Sequence, residues 1–205
     1  MKKIYCIGLC LALVKIAAFA QDIDFSAGGG ALFAMGFAQP GGDRGLKLRE
    51  MDPGAYVFFD ATFHEVSLNV FKGFHKATFD AAGGTGTSTR TFDITYMSLE
   101  VCGKYPIALG SVTIFPLLGF EFMFCLSAPG LPEEFDSKVW YFNAMWLKLG
   151  VGADFALTKK LYLRGELLYG VKSGNKFDEN VRDYFGTSFF FTHRPAVKTG
   201  AGYKF

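Results

Sequence analysis

Seven charged residues sit inside otherwise apolar stretches of the 205-residue chain: Glu65, Glu100, Glu121, Lys148, Arg164, Glu166 and Lys198. Each has an apolar residue immediately beside it in sequence. Where a chain alternates, adjacent residues point to opposite sides, so an apolar neighbour on one face puts the charge on the other. Charges drawn out of water need partners of opposite sign, and a break in such a network is destabilising. The four acids and three bases can therefore neutralise one another in a shared interior. Two behaviours follow: a packed, paired plug, or a gate in which a pair exchanges partners and opens a narrow path. Glu121, Lys148, Glu166 and Lys198 are expected to form the central layer.

Other chemistry is less well supported. A Ser, His and carboxylate could cooperate in acyl chemistry. His75 is followed by Asp80 and Ser88, His193 stands beside Arg194, and His64 falls near a turn, but no known motif surrounds any of them. The scattered histidines and the absence of a CxxC spacing give no metal signature. Gly83, Gly84 and Gly86 lie in a Thr/Ser stretch with no GK[ST] and no following helix, so they do not cradle a phosphate. No catalytic residue, cofactor or metal is expected, and the chain reads as a non-enzyme.

The elements that carry the seven charges are segments of about ten residues, alternating in character and bounded by Gly, Asp, Asn and Pro. Eight are visible, near 23–37, 54–61, 63–75, 92–104, 111–126, 139–156, 161–172 and 189–205. In the third, Val66, Leu68 and Val70 oppose Glu65, Ser67 and Asn69. In the sixth, Met145, Leu147, Leu149 and Val151 oppose Lys148, Gly150, Gly152 and Asp154. In the last, Val197, Ala201, Tyr203 and Phe205 oppose Lys198, Gly200, Gly202 and Lys204. A tilted membrane strand needs roughly 9–11 residues, and an apolar exterior around a charged interior is the membrane type of barrel. A soluble ligand-binding barrel has the reverse sense. Val112 to Leu126 is apolar enough to suggest a membrane helix, but Pro116 and Glu121 interrupt it. As a strand it sends Leu118, Phe120, Phe122 and Phe124 to lipid and Glu121 inward. The fold class expected is all-β, an eight-stranded antiparallel up-and-down transmembrane β-barrel. Its interior is just filled by side chains, which favours the plug over the gate and argues against a wide pore.

Connections alternate in length. Long ones are expected near Ala38 to Pro53, Ala77 to Thr91, Ser127 to Lys138 and Ser173 to Ser188, and tight ones near Ala61-Thr62, Tyr105 to Gly110 and Thr158 to Lys160. Long connections belong outside the cell and short turns in the periplasm. The first long connection carries Asp43, Arg44, Lys47, Arg49 and Glu50, the third Glu133, Glu134, Asp136 and Lys138, and the last Lys176, Asp178, Glu179, Arg182 and Asp183. Loops on a rigid scaffold are where binding usually resides. Aromatics near segment ends, among them Phe33, Phe37, Tyr105, Trp140, Tyr141, Tyr162, Tyr203 and Phe205, suit interfacial girdles.

Residues 1–20 read as a cleaved signal peptide: Lys2 and Lys3, an uncharged apolar run from Ile4 to Val14, and Ala18-Phe19-Ala20 before Gln21. Leu9-Cys10 lacks the small residue a lipobox needs. Residues 21–205 are then the barrel domain. Removing the segment takes Lys2, Lys3 and Lys15 and turns a net charge of +2 into −1, leaving no basic field for nucleic acid. Cys6 and Cys10 leave with it. Cys102 and Cys125 remain on neighbouring segments but out of register, so a disulfide is not expected.

The ending Val197-Lys198-Thr199-Gly200-Ala201-Gly202-Tyr203-Lys204-Phe205 resembles the C-terminal assembly signal of bacterial outer-membrane barrels, carried by Tyr203 and Phe205. The eight-segment layout resembles small outer-membrane β-barrels of the OmpA, OmpX and OmpW groups. Phe59-Asp60-Ala61-Thr62-Phe63 and Gly103-Lys104-Tyr105-Pro106-Ile107 resemble small spirochaete barrel proteins. The resemblance implies residence in the bacterial cell outer membrane as a monomer. Its partners would be outer-membrane lipid, the barrel-assembly machinery with periplasmic chaperones, and an extracellular ligand at the loops. It implies adhesion through loops or, as in the OmpW group, a narrow conduit for small or apolar molecules. Lipid A modification, known in some such barrels, is the remote alternative. Met123 and Trp146 point inward in this register, and Tyr141 and Phe142 fall near the outer rim.

Overall fold

The computed structural model describes residues 23–38, 47–80, 87–129, 143–172 and 193–205. Every regular element among them is a strand: β1 Phe25–Ala38, β2 Lys47–Ala61, β3 His64–Asp80, β4 Thr87–Lys104, β5 Ile107–Leu109, β6 Val112–Ser127, β7 Ala144–Ala156, β8 Leu161–Lys172 and β9 His193–Lys204. The sheet runs β4-β3-β2-β1-β9-β8-β7-β6, and a β4–β6 pairing closes it into a barrel. Neighbouring strands are antiparallel throughout. Eight long strands form the wall. The three-residue β5 continues β4 beyond the break at Tyr105 and Pro106 and pairs with the start of β6.

Closure satisfies the backbone groups that an open sheet would leave at its edges, which a lipid setting requires. The first and last strands make the seam, from Ser26 opposite Lys204 to Phe37 opposite His193. Following partners once around the wall from Ala27 returns to β1 at Phe37, ten residues further along. At ordinary strand rise and spacing, that stagger over eight strands tilts them by roughly 40°.

Outward positions are apolar. Leu118, Phe120, Phe122 and Phe124 on β6, Leu147, Leu149 and Val151 on β7, and Leu163 and Leu167 on β8 all face out. Leu149 is 60 % exposed and Leu167 61 %. A band of this kind all round a small protein is stable against lipid, not water. Inward positions hold Gly, aromatic and charged residues. A Cβ at Gly152 would run into the Phe115 ring, so the gap there is filled from across the strand pair. Gly110, at φ +68°, takes the left-handed conformation that its tight turn needs.

The strands differ from the sequence reading mainly at one end. β2 begins at Lys47, β3 runs to Asp80 and β4 starts at Thr87, so the hairpins extend further than the first and second long connections allowed. Asp80 stands opposite Thr87 and Phe79 opposite Ser88 in the ladder, which puts Asp80 and Ser88 in strands and not in a loop. Thr and Phe suit the extended backbone and continue the pairing past the apolar band. Pro53 ends the first long connection expected from the sequence. It lies within β2 opposite Phe33 on an outward position. The signal peptide expected over residues 1–20, with Ala18, Ala20 and Gln21, lies outside the described residues, as do residues 130–142 and 173–192, with most of the last two expected outer connections.

Candidate functional site

All seven charged residues picked from the alternation face the lumen and are 3 % exposed or less. They belong to a larger network with two centres.

Near the end of the barrel closed by the tight turns, Arg164 of β8 is the hub. Its Nη2 donates to Asp60 at 2.6 Å, its Nη1 to Glu65 at 2.8 Å and its Nε to Asp154 at 2.7 Å. The planar guanidinium presents a fixed fork of donors, which is what lets one cation serve three carboxylates. Lys104 adds a second contact to Asp60 at 2.6 Å. Aromatic rings enclose the hub, with Phe58 4.3 Å and Phe115 5.1 Å from the guanidinium carbon. Below it Ser26 bonds both Asp60 and the Tyr162 hydroxyl. A cavity of about 90 Å³ opens at this mouth, lined in part by Asp24, Asp60, Asp154, Lys104 and Lys204.

In the middle, Glu100 links the two halves. Lys198 Nζ lies 2.7 Å from Glu100 and 3.9 Å from Glu166, and also donates to Ser67 at 2.9 Å. Lys148 Nζ lies 2.8 Å from Glu121 and 3.7 Å from Glu100. The expected layer of Glu121, Lys148, Glu166 and Lys198 is thus split into two pairs joined through Glu100.

Towards the other end Arg194 of β9 is the second hub. It donates to both oxygens of Glu121, at 3.1 and 2.9 Å, and to Asp52 at 3.1 Å. Ser98 donates to Glu121 at 2.7 Å and accepts from Asn69 at 2.9 Å. The Phe71 ring lies 4.3 Å from the Arg194 guanidinium. Around this hub the lining is apolar: Ile94, Tyr96, Met123, Trp146, Ala34 and Ala196 are buried inward. Met123 and Trp146 point in, as the register required. Tyr141 and Phe142 lie outside the described residues.

Several network members escaped the sequence reading. Glu50 had been placed in the first outer connection; it is 1 % exposed and faces the lumen with Asp52. Both share the parity of Tyr56 and Phe58, a signal that Pro53 masked. Arg194 shares the parity of Lys198, hidden by Pro195. Asp60 and Lys104 fall at the ends of segments 54–61 and 92–104, where the sequence singles them out only within the spirochaete-like stretches. Tyr162 was counted with the interfacial aromatics, but it is 2 % exposed and inward, because it has the parity of Arg164. Phe33, Tyr105, Tyr203 and Phe205 do face outward. His193 meets the Tyr169 hydroxyl at 2.6 Å through Nδ1, His64 is an exposed turn-end residue, and the side chain of His75 is outside the described residues. Cys102 and Cys125 are free thiols. Cys102 stands opposite Gly119, six positions along β6 from Cys125.

No family model matches the chain, and no curated protein does. Solved structures do. The outer-membrane protein OprG of Pseudomonas aeruginosa superposes with a TM-score of 0.54 at 16 % identity, covering 89 % of this chain and 96 % of that one. The outer-membrane protein W of E. coli superposes with a TM-score of 0.50 at 13 % identity, covering 89 % and 98 %. At such identities the likeness is one of fold. This chain is a closed, all-antiparallel eight-stranded β-barrel with the architecture of the small outer-membrane barrels.

Proposed function

We propose that this protein resides in the outer membrane as a closed, monomeric scaffold that acts through the connections at its loop end. The observation that carries the reading is the set of ion pairs that crosses the lumen. Two arginine hubs and two lysines hold six carboxylates across the interior, and eight strands leave a space that side chains can fill. Such a barrel positions its surface rigidly, and binding or adhesion then falls to the long connections. The reading requires no catalytic group. Tyr203 and Phe205 face outward, and the reading has them serve as the signal for the barrel-assembly machinery. A cleaved signal peptide over residues 1–20 would bring the chain to the periplasm.

The test replaces residues 39–46, 81–86, 130–142 and 173–192 in turn with short Gly/Ser links and measures binding of the refolded barrel to extracellular-matrix proteins. Binding lost in one replacement, with heat-modifiable gel migration intact, supports the reading. Equal binding by all four replacements would overturn it.

A second reading has its own observation. The loop-side half of the lumen is lined by Phe71, Ile94, Tyr96, Met123 and Trp146, a surface suited to a small apolar molecule. A narrow conduit of this kind predicts that deleting the protein slows uptake of an apolar solute across the outer membrane. Unchanged uptake would remove it.

A further inference from the structure

We propose that Glu65, Glu100 and Glu166 form a lumenal site for a hard divalent cation of the calcium class. One carboxylate oxygen from each lies within 4.8 Å of the others, although the residues come from β3, β4 and β8. All three side chains are buried, at 2 % exposure. Proximity of acids does not by itself make a site. The second observation is the state of their oxygens. Glu65 Oε1, Glu100 Oε2 and both oxygens of Glu166 are buried without a hydrogen-bond donor. Buried acceptors in this condition are uncommon and costly. The nearest cationic nitrogens stand off Glu166 at 3.8 Å (Arg164) and 3.9 Å (Lys198), and off Glu100 Oε2 at 3.7 Å (Lys148).

The surrounding bases are drawn elsewhere. Arg164 is held by Asp60 and Asp154 as well as by Glu65 Oε2. Lys148 lies closer to Glu121 than to Glu100. Lys198 bonds the Oε1 of Glu100 at 2.7 Å, Glu65 keeps Arg164 at its Oε2, and Glu166 has only Arg164 and Lys198 near it, at 3.8 and 3.9 Å. A cation completes the balance that these bases leave open.

Geometry admits a large ion. Calcium sits about 2.3–2.6 Å from its oxygens, so two ligands of one ion can stand up to roughly 5 Å apart. Magnesium, at about 2.0–2.1 Å, requires them within roughly 4.2 Å. The three oxygens, all within 4.8 Å of one another, are close enough for one calcium ion to bridge. The cavity lined by Asp24, Asp60 and Asp154 at the turn end meets the Arg164 hub, which joins Asp60 to Glu65, so an ion entering there must displace those ion pairs and binding is expected to be slow. With Arg164 and Lys198 nearby, affinity is expected in the range of about 10⁻⁴–10⁻³ M typical of extracellular calcium modules.

The experiment uses the full barrel refolded in detergent micelles, with folding checked by heat-modifiable migration. Calcium chloride is titrated by calorimetry, and terbium is added as a luminescent probe excited through tyrosine, since Tyr56 packs over Lys198 beside the site. The site predicts saturable calcium binding, weaker magnesium binding, and terbium emission that calcium quenches. Glu166→Gln should weaken calcium binding at least tenfold, and Glu65→Gln, the second variant should Glu166→Gln not fold, should do the same. Asp93→Asn, at an acid outside the lumen, should leave it unchanged. Absence of saturable binding to the unmodified barrel overturns the proposal, as does equal binding by the folded Glu variants. A barrel that conducts ions yet binds calcium at this site leaves the proposal standing while ending the closed-scaffold reading.

Discussion

The two arginine hubs do the same electrostatic work in different surroundings. Arg164 holds three carboxylates at 2.6–2.8 Å, with Lys104 sharing one of them, and sits among Phe58, Phe115 and Tyr162. Arg194 holds two, and one of those, Glu121, has a second base in Lys148 at 2.8 Å. Each hub shares one carboxylate with a lysine, Asp60 with Lys104 and Glu121 with Lys148, and the first hub holds one carboxylate more than the second. The difference separates a fixed end from an adaptable one. The turn end is locked by charge, and the loop end is lined by large apolar side chains that can repack.

Arg164→Met tests the locked end and carries the largest expected effect. It leaves Asp60, Glu65 and Asp154 buried with fewer partners, a break of the kind that costs about 3–5 kcal/mol. Urea unfolding of the barrel in lipid vesicles measures it. Arg194→Met should cost less, about 1–3 kcal/mol, because Lys148 still neutralises Glu121. Equal losses in the two variants would erase the distinction between the hubs. Combining Arg194→Met with Lys148→Ala sharpens it further: the pair should cost more than the sum of the single changes, by about 0.5–3 kcal/mol, since each base covers for the other. Lys148→Ala alone is the mildest of the series, because Glu121 keeps Arg194 and Glu100 keeps Lys198. Its expected loss is about 1–2 kcal/mol, read from the same unfolding curves.

The wall was legible from the sequence for a physical reason. An apolar outside and a charged inside impose a strict period of two, so each central strand announces both its existence and its facing. Glu65, Glu100, Glu121 and Lys198 could be assigned inward from their neighbours alone. The network's other half was hidden where local cues contradicted the period. Pro53 and Pro195 are turn signals in most contexts, yet here they occupy strand positions facing outward or near the rim, and the inward residues Asp52 and Arg194 go unnoticed beside them. Asp60 sits two residues before the Thr62 turn, where Asp is expected for turn chemistry. Which acid meets which base could not be read at all. Partners such as Arg164 and Glu65 come from strands on opposite sides of the barrel, and their meeting depends on the ten-residue stagger, which is a property of closure and not of any one segment.

The central claim is that this network closes the lumen. Single-channel recording of the refolded barrel in planar bilayers tests it most directly. The account predicts no stable conductance steps from the unmodified protein, and steps or flickering noise from Arg164→Met, where the locked end has lost its hub. Sustained, ohmic conductance from the unmodified protein would contradict it.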